Sequence, residues 1–136
     1  MASQLKVDTI TGVTTAGSIA VTGEGNSTTT NLQQGLCKVW VEHGNDFAID
    51  DSFNLTSLTD DGTGLIDLNI ANAMGNTNYV YNGAVSGFAR NTTVGWVEGS
   101  TLATSLAPAS MGTMDASGNV SLADARAGHS IHGDLA

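Results

Sequence analysis

Basic side chains are nearly missing from this sequence: Lys6, Lys38, Arg90 and Arg126 stand against 13 Asp and Glu, for a formal net charge of −9. Phosphate backbones and anionic lipid surfaces are held mainly by clustered Lys and Arg, so the composition argues against nucleic acid and membrane surfaces as partners. Cysteine is reduced to Cys37, which leaves no intrachain disulfide to form. Aromatic residues make up only 5% of the chain, so any core is thin. No apolar run reaches membrane-spanning length. The opening "MASQLKVDTI" lacks the basic-then-apolar pattern of a secretion signal, which predicts a product made in the cytoplasm. Proline occurs once, at Pro108.

What is present points to strands and turns. The 136 residues suit one domain with an arm, and hydrophobic residues at 40% are enough to build a core. Glycine is abundant at 17 residues, and Thr, Ser and Asn are dense throughout. Those three compete with helix backbone hydrogen bonds, so short strands are favoured over helices.

Residues 1–33 carry scattered apolar side chains, Leu5, Val7, Ile10, Ile19 and Val21, with glycines between them. Each pair is too small to make a core alone. The segment is therefore either disordered or ordered against other chains, and the period-2 pairs Leu5/Val7 and Ile19/Val21 favour a partner. These five residues, Leu5, Val7, Ile10, Ile19 and Val21, are the predicted partner or subunit contacts of an extended arm. Residues 34–136 form the predicted domain.

In that domain "CKVWVEH" alternates, with Cys37, Val39 and Val41 on one face and Lys38, Trp40 and Glu42 on the other. "DSFNLTSLTDDGTGLIDLNI" reads as two strands around an Asp- and Gly-rich turn. Phe53 and Leu55 share a face in the first strand, and Ile66, Leu68 and Ile70 share one in the second. "YVYNGAV", "TVGWVEG", "VSLADA" and "AGHSIHG" read as further strands, whereas "TLATSLAPASMG" fits either a strand or a short helical turn. Seven or eight short strands with frequent turns predict an all-β, antiparallel β-sandwich.

Candidates for chemistry are few. His129 and His132 fall on opposite faces of a strand, so "HSIH" does not chelate one metal and predicts two surface or interface histidines. The pairs Asp50–Asp51 and Asp60–Asp61 lack the alternating spacing of a Ca²⁺ loop and read as solvated turn acids, with a Ca²⁺ ion shared between subunits as the alternative. Cys37 reads as a packing thiol. No nucleophile–base arrangement, "GxSxG" elbow or P-loop lysine occurs, so no enzyme activity, catalytic residue, cofactor or metal is predicted. Four sequons, at Asn26, Asn54, Asn91 and Asn119, are what a chain rich in Asn, Ser and Thr makes by chance. Tyr79, Tyr81 and Trp96 form the predicted ligand or subunit contact face, either stacking a sugar or packing at a subunit contact.

Two stretches carry a resemblance. The opening "LKVDTI" followed by "GSIAVTG" is similar to N-terminal segments of phage fibre and capsid-fibre proteins. "KVWVEHGNDFAIDDSFNLTSLTDDGTGLIDLNIANAMGNTNYVYNGAV" and the ending "HSIHGDLA" resemble the C-terminal fibre domain of tailed-phage virion proteins, especially those of marine phages. Residues 92–114 depart from that pattern. The resemblance implies a jelly-roll-like β domain that assembles as a homotrimer within a virion. It implies a capsid decoration (cement) protein whose partners are its own copies and the major capsid protein. The rival it leaves open is a short tail fibre or adhesin that binds a host glycan or surface receptor.

Overall fold

A computed structural model of the chain describes residues 4–12, 19–22, 29–86, 92–95 and 101–135. The chain divides into two compact units, Met1–Gly35 and Leu36–Ala136.

The first unit holds a short antiparallel ribbon of β1 (Ala20–Thr22) and β2 (Thr29–Asn31), followed by a helical turn α1 (Leu32–Gly35). The amide of Leu32 closes onto the carbonyl of Ile19 at 2.8 Å. Within the predicted arm, β-branched residues such as Val21, Thr22 and Thr29 pair inside the chain, whereas residues 4–12 form no strand and are exposed. That pairing satisfies backbone groups and buries little, since all three residues of β1 remain exposed.

The second unit contains β3 (Val39–His43), β4 (Ile49–Phe53), β5 (Leu55–Gly62), β6 (Leu65–Ile70), β7 (Val80–Ser86), β8 (Thr92–Gly95), β9 (Leu106–Met114), β10 (Val120–Leu122) and β11 (Arg126–His132). They form two antiparallel sheets, consistent with a β-sandwich. One runs β4-β3-β11-β7, and the other runs β10-β9-β6-β5 with β8 also paired to β9. The inner faces meet in one core. Val39, Val41, Ala127 and Ile131 come from the first sheet; Ile66, Leu68, Ile70, Ala107, Ala109 and Met111 come from the second. The many alanines are the physical form of the thin core: where large aromatics are scarce, close approach of the strands supplies the contact.

The expected hairpin is there. β5 and β6 pair from Leu55↔Ile70 to Gly62↔Leu65, and Ile66, Leu68 and Ile70 all point inward. Both turn glycines have positive φ, +127° at Gly62 and +67° at Gly64. Gly64 lies where β6 gives way to β10 along β9. A Cβ there would stand 2.4 Å from the carbonyl oxygen of Met111 and 2.6 Å from the amide nitrogen of Ala123. The Gly64 amide is received by Asp124 Oδ1 at 2.6 Å, and its carbonyl accepts from Met111 at 2.7 Å. The ambiguous "TLATSLAPASMG" resolves as strand β9, its Pro108 lying opposite Asp67.

The first half of the hairpin reading needs correcting. Asp51–Phe53 belong to β4 of one sheet and Leu55 opens β5 of the other, so Phe53 and Leu55 share no strand; Phe53 is 53% exposed. The chain crosses between sheets at Asn54, whose φ of +56° is one that Asn tolerates better than most residues. Its side chain ties the corner together. Nδ2 donates to the carbonyls of Lys38 (3.0 Å) and Asn72 (3.1 Å), and Oδ1 accepts from the backbone amide (2.7 Å) and side-chain amide (2.9 Å) of Asn72. Lys38, expected on the outer face, is itself buried.

Candidate functional site

The four-stranded sheet positions the side chains that carry chemistry. On its inner face, His43 of β3 and His129 of β11 are both buried. Their rings lie nearly parallel, 5.0 Å apart, with the two Nε2 atoms at 2.9 Å. Tyr81 of β7 directs its hydroxyl to His129 Nδ1. Phe47 sets its ring edge-on to His43 at 5.6 Å, held there by an unusual backbone φ of +59° in the loop after β3.

Acceptor geometry fixes the protons of this row. The carbonyl of Gly44 stands 2.7 Å from His43 Nδ1 and can only accept, so His43 carries its proton on Nδ1. With one proton on each ring, His43 Nε2 is bare and receives the Nε2–H of His129. That leaves His129 Nδ1 as the acceptor for the Tyr81 hydroxyl. In that arrangement each proton is used once. Burial, then the neighbouring His43, push the His129 imidazole down to about 3, and burial pushes the Tyr81 phenol up. The row is a hydrogen-bonded network on the inner face of the sheet, with both imidazoles buried.

The sequence reading missed this network. His129 was expected at a surface or interface, and His43 was not singled out, although its phase with Val39 and Val41 marks it as inward-facing. The pairing of β3 with β11 across most of the domain is what joins them, in the register Ala127↔His43 and His129↔Val41.

Tyr79 and Tyr81 do face the same way, but inward. Tyr79 is 8% exposed, and its hydroxyl donates to the carbonyls of Ala103 and Leu106, each at 3.1 Å. With Tyr81 committed to His129, these two offer no exposed stacking platform, which corrects that expectation. Trp96, the third member of the predicted face, lies outside the described residues. In the first unit Leu5, Val7, Ile10 and Val21 are exposed and Ile19 is partly buried.

The acidic pairs separate. Asp50 and Asp51 sit on β4 rather than in a turn, and Asp50 is the extra residue where the β3–β4 register shifts. Its carboxylate meets Arg126 at 2.9 Å, and Arg126 also reaches Glu42 at 2.6 Å. In the β5–β6 turn, Asp60 Oδ1 accepts from the Gly62 amide at 2.9 Å. Burial, then the neighbouring Asp61, hold the Asp67 carboxyl above the usual carboxylate range. Among the described residues no group of three or more His, Cys, Asp or Glu side chains is placed to hold a metal ion. The Cys37 thiol donates to the Val39 carbonyl at 3.0 Å. Among the same residues no helix is long and apolar enough to cross a membrane.

On the outer face of the same sheet, two rungs cross the strands. Trp40 pairs with Ser130 and Ser130 with Asn82; Glu42 pairs with Gly128 and Gly128 with Ala84. Large side chains stand on β3 and small ones on β11 and β7, which leaves an open trough of about 570 Å³.

Comparison with protein-family models, with curated proteins and with solved structures returns no match.

Proposed function

We propose that this chain is a structural protein of a phage virion, assembling as a homotrimer with a jelly-roll-like β domain and decorating the outer surface of the capsid. The observation that carries the reading is in the first unit: Leu5 is 81% exposed, Ile10 57%, Val7 53% and Val21 52%. Apolar side chains spaced along a segment that buries none of them are surface waiting for a partner. Sister subunits and the major capsid protein supply that partner in this reading. An acidic chain with few basic residues suits the outside of a shell, where it resists indiscriminate association. The likeness of the hairpin region to phage fibre domains supports the same setting.

The test is assembly. Light scattering on the purified chain should give the mass of a trimer, and the chain should bind empty capsids. Leu5→Asp with Val7→Asp should abolish capsid binding and leave far-UV circular dichroism unchanged. A stable monomer that fails to bind capsids refutes the proposal.

A second reading, a short tail fibre or adhesin, is favoured by the outer-face trough. Copy number per virion separates the two: hundreds of copies place the chain on the head, a few tens or fewer on the tail.

A further inference from the structure

The trough on the outer face has a floor that the fold does not require. Gly128 sits in the middle of β11, a strand paired on both sides, and the register runs without a break through Gly128 against β3 and against β7. Its φ lies outside the left-handed region, and a Cβ added there would meet nothing closer than the Val41 carbonyl oxygen at 3.9 Å. Alanine would fit, and in a strand interior glycine is less stable than alanine. A strand glycine ordinarily answers to a bulge, a sharp bend, or the close approach of backbone or ligand. There is no bulge here, and among the described residues no part of the chain crowds the position. That room is open to a group from outside the chain.

The walls say what kind of group. Trp40 lines one side with its indole. Asn82, Ser130 and Glu42 offer an amide, a hydroxyl and a carboxylate around Gly128 and Ala84. A purely apolar ligand would leave those polar groups facing hydrocarbon. An anion would meet Glu42 and the −9 charge of the chain, while the adjacent Arg126 is engaged by Glu42 at 2.6 Å and Asp50 at 2.9 Å. The same ion pair offsets the charge that would draw a cation. A ring with an apolar C–H face and a rim of hydroxyls fits both kinds of wall. The volume, about 570 Å³, falls within the range of small-ligand clefts.

We propose that this trough is a binding site for a neutral saccharide, with a pyranose face over Gly128 and Ala84 and against Trp40, and its hydroxyls on Asn82, Ser130 and Glu42. The proposal deepens the adhesin reading by placing its ligand, and it holds whether the chain sits on head or tail. Copy number decides the location and sugar titration decides the site, so the two fail separately.

The experiment is saturation-transfer NMR and calorimetric titration of the full chain. The probes are neutral trisaccharides built from glucose, mannose, galactose and N-acetylglucosamine, with sialyllactose as the anionic control. At least one neutral probe should bind saturably at millimolar concentration and sialyllactose should not. Gly128→Val, which fills the floor, and Trp40→Ala should each weaken binding tenfold or more. Gly128→Ala should melt at or above the parent temperature, and it keeps the test independent of folding in the larger substitutions. Absence of saturable binding across the neutral probes overturns the proposal. So does binding that survives Gly128→Val. A change of assembly mass in Gly128→Val without any sugar binding in the parent also overturns it and makes the trough a subunit contact.

Discussion

Acid should loosen this protein through one buried ring. In the unfolded chain His129 titrates near the ordinary imidazole value of 6.5, whereas in the folded chain its charged form is disfavoured down to about 3. The folded state therefore binds fewer protons than the unfolded state between those limits, and stability falls as pH drops through the window. The contribution is whole above the unfolded value and exhausted below the folded one. At about 1.4 kcal/mol per pH unit, acidification from neutral to about pH 4 removes roughly 3 kcal/mol, a large share of the stability of a small domain. Urea denaturation at a series of pH values measures the loss, and His129→Gln isolates it. That variant starts less stable at neutral pH, because it gives up packing and the link to Tyr81, but its stability should vary less between about pH 6.5 and pH 4. NMR reads the cause directly. His129 should remain neutral with its proton on Nε2, and His43 should carry its proton on Nδ1. If His129 titrates near 6.5, or if parent and variant lose stability in parallel, the argument from the row fails.

Gly64→Ala should cost about 3–5 kcal/mol and Gly62→Ala about 1–3 kcal/mol. Both carry positive φ, but only Gly64 would drive a Cβ into the backbone of β9 and the segment after β10, whereas Gly62 has nothing within 4 Å; equal or reversed losses in urea would show that strain outweighs the clash. Asn54→Gly should cost about 2 kcal/mol from its lost hydrogen bonds, and Asn54→Ala about 1 kcal/mol more because Cβ disfavours the left-handed corner. Thermal melts that rank alanine above glycine would refute that account. Asp61→Asn should return the Asp67 carboxyl toward its ordinary range, read by carboxyl ¹³C shifts, and leave the melting temperature nearly unchanged. A large melting loss, matched by a chelator on the parent chain, would instead mark a structural Ca²⁺ ion.

The hairpin of β5 and β6 was legible because its inner residues alternate strictly and its turn glycines sit where positive φ is needed. The corner at Asn54 was hidden by parity. Phe53 and Leu55 are two apart and would share a face in a continuous strand, so nothing in the local pattern shows that the chain changes sheets between them. The outward side of β3 was half legible. Trp40 and Glu42 alternate with Val39 and Val41 as expected, but Lys38 is buried at the strand's start, beside the Asn54 corner. Both histidines of the inner row were in phase with apolar neighbours, a local signal. Their meeting depends on strand pairing between distant segments, which no short-range pattern encodes. The trough is hidden for the same reason: its floor and walls come from three strands, and each contributes an unremarkable alternation.

The place of β11 in the first sheet has a consequence for the order in which the molecule can form. β11 is the central partner of both β3 and β7, yet it is last among the strands in chain order. The β5–β6 hairpin closes across a short turn as it is synthesised. By contrast, His43 and His129 are 86 positions apart, and joining such distant segments demands loop closure before any contact rewards it. Until residue 132 has emerged from the ribosome, β3 and β7 lack their shared neighbour, and Val39 and Val41 have no Ile131 to pack against. A stalled or clipped chain that stops short of Arg126 would therefore present a finished hairpin and two open strand edges, a form prone to pairing with the wrong molecule.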